Sequence, residues 1–238
     1  HSNDRDEGMS ELLTQNDADL RDAAALAVDL AVRRGAKARA SVHHEGVAKL
    51  AVRNGEVETA ERSGSQGLGI TVFHEGRQGS ASTAGFDRAA IERVVEEAML
   101  IAGHVQPDAD ADLPPADWLA FSGPAPELYA DSPRNPDVLL DAAQAMDRVA
   151  RESVASDSRL RAGESVAVAI EGLWALATSD GFCRSVQRSN DTRWAVMLAQ
   201  DESGSTSAFC QSKERRVDAL LSPVLLVQSA ADRARQAL

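Results

Sequence analysis

The chain has 238 residues, 43% hydrophobic but only 4% aromatic, with a formal charge of −12 at pH 7. That length supports two modest cores lined by Ala, Val and Leu, with Trp118, Trp174 and Trp194 as the largest packing groups. The acidic balance excludes nonspecific nucleic-acid binding and anionic membrane surfaces as default partners, because both need clustered Lys and Arg. No run nears the ~18 apolar residues of a membrane span, and no apolar segment follows a basic start, so the chain reads as cytoplasmic.

Residues 1–8 read as a tag remnant ahead of a native Met9. Asp17 is placed to cap a helix with Leu20, Ala24, Ala27 and Ala31 on one stripe, ending at Gly35. Alternation from Ala38 to Val42 predicts a half-buried strand, which Glu45-Gly46 is expected to turn back into Val47 to Arg53. Asn54-Gly55 suits a type I′ hairpin, since both residues tolerate positive φ. Strands follow at Glu56 to Glu61, Leu68 to Phe73 and, after Glu75-Gly76, Arg77 to Thr83; Asp87 then caps a helix carrying Ile91, Val94, Val95, Ala98 and Ala102. The first unit, residues 9–106, thus reads as helix, antiparallel five-strand meander, helix.

All but one of the eight prolines fall between Pro107 and Pro136, together with the acidic stretch from Asp108 to Asp112. Residues 107–135 are therefore expected to be a linker running extended over the surface, pinned by Trp118 and Tyr129. Asn135 and Pro136 start a second unit, residues 136–238, whose helix carries Leu139, Ala142, Ala143, Met146 and Ala150. Five strands are again expected, at Ser165 to Ile170, Leu173 to Thr178, Phe182 to Arg188, Trp194 to Gln200 and Ser205 to Gln211. Glu171-Gly172, Asp180-Gly181 and Glu202-Ser203-Gly204 provide their turns. The order and spacing of these turns repeat those of the first unit, which predicts an α/β (α+β) fold of two duplicated units. A last helix from Ser222-Pro223 runs to Leu238 without a stop signal and is expected to precede a further C-terminal domain.

Chemistry-bearing patterns are sparse. A zinc peptidase helix needs two histidines one turn apart with a glutamate between them; His44 is followed at that distance by Ala48 and Lys49, and His74 by Gln78 and Gly79. His43 and His44 point to opposite faces of one strand. Gly64 to Gly69 is glycine-rich but enters a strand, whereas a phosphate cradle opens a helix. Cys183 and Cys210 lack a metal or redox spacing and are expected to be reduced, packed thiols. The serines and threonines at Ser80, Ser82 and Thr83 have no placed histidine and carboxylate to activate them. With Arg77 they are the candidate contacts to a partner or peptide, because such a strand can pair with an extended segment; a solvated strand face accounts for them equally.

The stretch from Gly67 to Phe73, continuing through Gly76 to Thr83 and into the helix Ile91 to Ala102, resembles the PmbA (TldE) branch of the TldD/PmbA family. Glu56-Val57-Glu58, Leu113-Pro114 and the turn Ser179 to Phe182 add to the resemblance, which covers the N-terminal half of that family. It implies a subunit of a TldD/TldE-type zinc metallopeptidase complex, acting on unfolded or extended peptides and also labelled a modulator of DNA gyrase. It further implies that zinc and its HExxxH motif belong to a TldD-type partner, that this chain is non-catalytic and holds no cofactor, and that it meets a TldD-type subunit or a second copy. The alternative reading is a stand-alone peptide- or protein-binding module using exposed strand edges.

Overall fold

The computed structural model describes residues 12–202 and 204–238; the expected tag remnant and Ser203 lie outside them. Among the described residues, α1 (Asp17–Val32), α2 (Arg88–His104), α3 (Pro136–Ser156) and α4 (Pro223–Gln236) accompany six strands. These are β1 (Lys37–Arg53), β2 (Glu56–His74), β3 (Arg77–Thr83), β4 (Leu160–Thr178), β5 (Cys183–Asp201) and β6 (Gly204–Glu214). They form one antiparallel sheet in the order β3-β2-β1-β4-β5-β6, so β1 and β4 lie side by side at its centre. The α+β class expected from the sequence is the class observed.

The helix starts follow from side-chain chemistry. Asn16, one residue before the expected Asp17, caps α1: its side chain accepts from the Asp19 N–H while the Asp19 carboxylate accepts from the Asn16 N–H. Asp87, Asn135 and Ser222 cap α2, α3 and α4, and Pro136 and Pro223 occupy first-turn positions where no N–H is needed. Each helix then buries an Ala-rich stripe on the same side of the sheet. Leu20, Ala24 and Ala31 of α1 and Ile91 and Val95 of α2 pack over Ala38, Val42, Leu68 and Ile70. α3 and α4 close over Leu160, Ala195 and Met197, and α3 also covers Leu50, Val52 and Ala167. Each fully buried Leu, Ile or Val contributes roughly 1.5–3 kcal/mol, so the four helices are held chiefly by this one face.

The strands correct the sequence reading. Five short strands were expected in each unit, but β1, β2, β4 and β5 are each 17 to 19 residues long and three strands replace five. Glu45-Gly46 and Glu171-Gly172 are not turns: they sit mid-strand and pair with each other, Glu45 opposite Gly172 and Gly46 opposite Glu171. Both strands are flanked on each side, so their backbone groups are satisfied by ladders and gain nothing from turning. Asn54-Gly55 and Glu75-Gly76 do turn, with φ of 53°, 86°, 51° and 68°, as a type I′ hairpin requires. Gly64 to Gly69 lies wholly within β2.

Residues 107–135 contain no strand and one short 3-10 turn at Ala116–Trp118. Lys37 Nζ reaches Asp112 at 2.6 Å and the Asp108 N–H donates to the Gly76 carbonyl, so the acidic stretch is tied to the β2-β3 end of the sheet. Trp118 pins nothing; its side chain is exposed. Trp174 and Trp194 are only partly buried, since their ladder partners place them on the side without helices. Of the cysteines, Cys210 is packed as expected, whereas Cys183 is exposed at the start of β5.

Candidate functional site

Strand alternation sorts every β1 side chain between two environments. Ala38, Ala40, Val42, His44, Ala48 and Leu50 face the helices, while Arg39, Ser41, His43, Glu45, Val47 and Lys49 face the opposite, uncovered side. Cross-strand pairing carries this division outwards. Thr71 and Gly69 of β2, Ser80 and Ser82 of β3, and Trp174 and Gly172 of β4 share the uncovered face.

The four sequence-singled residues of β3 are therefore divided. Ser80 and Ser82 line a hollow of about 310 Å³ with Arg39, Ser41, Gly69 and Thr71, and the Ser80 and Thr71 hydroxyls are 3.0 Å apart. Arg77 and Thr83 alternate to the helix side. Arg77 lies 3.9 Å from Glu75 and its Nε has no partner; the Thr83 hydroxyl accepts from the Gly85 N–H. Gly79 lets α2 approach β3, since a Cβ there would lie 2.0 Å from the Ala98 carbonyl oxygen.

Further along the same face, the Trp174 ring lies across Gly172, where an added Cβ would fall 2.3 Å from it. The Arg188 guanidinium stacks 3.9 Å above that ring and reaches Glu45 at 3.0 Å. Lys49 stands 5.9 Å from the Trp194 ring centroid, and Phe209 of β6 is more than half exposed. The uncovered face thus offers hydroxyls at one end and stacked aromatic and cationic groups towards the other. Such a surface can take a polypeptide backbone and its side chains, but it assembles no nucleophile, base and orienting acid.

On the helix side, reading of the sequence missed a buried ionic cluster. Arg134, at the end of the Pro-rich segment, donates from Nη1 to Glu171 Oε1 at 3.0 Å and from Nη2 to Asp191 Oδ2 at 2.8 Å; all three side chains are almost completely buried. It also donates to the carbonyls of Ala130 and Ser132, and Tyr129 donates to Glu171 Oε1 at 3.4 Å. The Leu128 carbonyl accepts from the Ser189 N–H, so residues 128–134 are clipped onto β5, with Tyr129 in the pinning role expected of it. Burial pushes both carboxyls above the ordinary carboxylate range, with Arg134 pulling the other way. Arg134 bridges the two acids, Arg193 also acts on Asp191, and Glu171 Oε2 is left without a partner. The only sequence signal was an Arg directly before the Asn135-Pro136 helix start.

Beside this cluster the chain entering α1 crosses the sheet. A Cβ on Gly46 would lie 2.2 Å from the Leu12 carbonyl oxygen, and the Thr14 N–H donates to His44 Nε2 at 3.1 Å. Burial, then the neighbouring His43, lowers the His44 pKa, which keeps Nε2 free to accept. Among the described residues no three His, Cys, Asp or Glu side chains converge as metal ligands, so they do not fit a zinc ion. Among them, no helix is long and apolar enough to cross a membrane.

Residues 41–102, from β1 through α2, match the PmbA/TldA metallopeptidase domain 1. A metalloprotease PmbA homolog of Haemophilus influenzae is 35% identical over 123 residues, which cover 52% of this chain and 27% of that protein. Over these residues the chain is similar to the PmbA/TldD family. Two solved structures of low identity share the fold of this chain. A Bacteroides thetaiotaomicron protein named for modulation of DNA gyrase has a TM-score of 0.80 at 20% identity, covering 92% of this chain and 50% of its own. TldE from Thermococcus kodakarensis has a TM-score of 0.68 at 14% identity, covering 90% and 47%. The chain therefore spans about half the length of these two structures and less of the PmbA homolog.

Proposed function

We propose that this chain is the N-terminal part of a non-catalytic PmbA/TldE-type subunit in a cytoplasmic zinc metallopeptidase complex. The complex acts on unfolded or extended peptides, and a TldD-type subunit supplies the zinc. The supporting observation is the two-sided sheet of a chain similar to the PmbA/TldD family: four helices close one face, and the other presents the Ser80-Ser82 hollow and the Trp174-Arg188 stack. A wall of that kind encloses and orients a substrate while the metal chemistry lies elsewhere. The link of a structural neighbour's name to DNA gyrase is read as proteolysis of a regulator, because a charge of −12 opposes contact with nucleic acid.

The experiment is co-purification with a TldD-type protein, followed by zinc analysis and cleavage of an unfolded peptide. The complex is expected to hold zinc and cleave, and this chain alone to do neither. Stoichiometric zinc on the isolated chain, or cleavage by it unaided, overturns the reading. The second reading, a stand-alone peptide-binding module, rests on the free edge of β2 and requires no TldD-type partner to come down with the protein.

A further inference from the structure

β2 is an interior strand over only part of its length. β3 pairs with it from Leu68 to His74, and among the described residues no strand pairs with the outer edge of residues 56–67. The ladder between β1 and β2 shifts register between Ala51 and Val52, at Glu58, and is regular from Thr59 to Gly67. Nine consecutive residues therefore present every second N–H and C=O outwards, over roughly 25–30 Å at ~3.3 Å per residue. Ser63, Gly64, Ser65 and Gly67 leave this backbone unshielded, and the segment is almost wholly exposed. Gln66, bonded to the Ala84 carbonyl, marks where β3 takes over.

A second feature lies directly beneath the edge. On the helix side, a pocket of about 200 Å³ is lined by Leu12, Ala48, Leu50, Ala60, Pro136 and Leu139. Its floor is aliphatic, and Lys49, Glu61, Arg62 and Arg134 complete its lining. Because Ala60 pairs with Leu50 and Arg62 with Ala48, the pocket sits where a strand added outside β2 would direct alternate side chains. A free ladder with an adjoining side-chain pocket is the arrangement by which strand addition gains affinity from the main chain and selectivity from one side chain.

We propose that β2 residues 59–67 receive an extended peptide as an added strand, with one branched aliphatic side chain seated in the pocket beside Ala60. This takes its substrate class from the extended-peptide reading above but needs neither zinc nor a partner subunit. The edge favours peptides by conformation rather than by sequence, with the single aliphatic position as its filter. An alanine at that position would leave most of the aliphatic floor unfilled and forfeit the burial that a branched side chain gains there.

The test is fluorescence anisotropy of the isolated chain with a fluorescein-labelled nonapeptide of alternating threonine and serine bearing one central leucine. The leucine probe is expected to bind at least tenfold more tightly than its alanine analogue. N-methylation of one alternate set of probe amides should abolish binding, while methylation of the other set leaves it intact. Hydrogen exchange should slow at residues 59–67 and not along β6. Ala60→Phe, which fills the pocket from its rim, should erase the preference for leucine without removing the backbone-dependent binding. Equal binding of the leucine and alanine probes, equal tolerance of both N-methylated sets, or protection confined to another edge each overturns the proposal. The probe-side arms decide the matter even if the substituted protein fails to fold. Failure to capture a TldD-type partner would remove the complex and leave this binding untouched, so the two readings fail separately.

Discussion

Two Glu-Gly dipeptides, Glu45-Gly46 and Glu171-Gly172, meet across the centre of the sheet and are used in opposite environments. On the helix side, Glu171 faces Arg134 and the bare Gly46 makes room for the Leu12 backbone. On the uncovered side, Glu45 faces Arg188 and the bare Gly172 makes room for the Trp174 ring. Both ion pairs measure 3.0 Å. What separates them is solvent: the Arg134 and Glu171 side chains are 3% and 2% exposed, those of Arg188 and Glu45 51% and 25%. Equal geometry therefore carries unequal energetic consequence, since a buried charge without its partner cannot be rescued by water.

The largest expected effect follows from removing the buried cation. Arg134→Ala strands Glu171 and Asp191 together and unclips residues 128–134, so urea denaturation should show a loss of about 3–5 kcal/mol. The pH dependence sharpens the same point. Folded-state values of Glu171 and Asp191 lie above their ordinary ones, with burial the leading cause. Their contribution is thus fully present below the unfolded carboxylate values and is lost as pH rises through the folded ones. Glu171→Gln cannot ionise, so its stability should decline less than that of the parent between about pH 4 and about pH 7.

The glycines give the next contrast. Gly46→Ala sets a methyl group against a main-chain carbonyl, which moves only if the whole segment entering α1 lifts; a cost of about 1–3 kcal/mol is expected. Gly172→Ala meets the end of a tryptophan side chain instead, which can swing towards solvent, and should cost less than about 1 kcal/mol. Thermal denaturation of the two variants side by side checks the order. Equal losses would mean that the Trp174 ring is as immovable as the backbone of Leu12.

Much of the architecture was legible because it is written in local chemistry. The caps at Asp87, Asn135 and Ser222, the helix stripes and the positive-φ turn at Asn54-Gly55 follow from neighbouring residues alone, and the structure has each of them. Glu45-Gly46 and Glu171-Gly172 are not the turns expected, whereas Glu75-Gly76 is, because glycine marks two different needs, a left-handed backbone or an absent side chain. Only the position of Leu12 or Trp174 tells which applies. The candidate contacts on β3 were found as residue types, but strand alternation sends Ser80 and Ser82 to one face and Arg77 and Thr83 to the other. The Arg134 cluster was invisible for a deeper reason. Its members are separated in sequence by 37 and 57 positions and converge only through the register of β4 and β5.

The smallest effect belongs to the exposed pair. Arg188→Ala removes the contact with Glu45 and the stack on Trp174 together, yet both partners keep access to water. The stability change should stay below about 1 kcal/mol and shrink further at high salt. If this face holds peptide in a complex, the same substitution should weaken peptide capture far more than it weakens folding. Measuring denaturation and peptide cleavage on one preparation of the assembled complex separates the two. A loss of stability matching that of Arg134→Ala would show instead that Arg188 is a structural residue and that this side of the sheet is packed as firmly as the other.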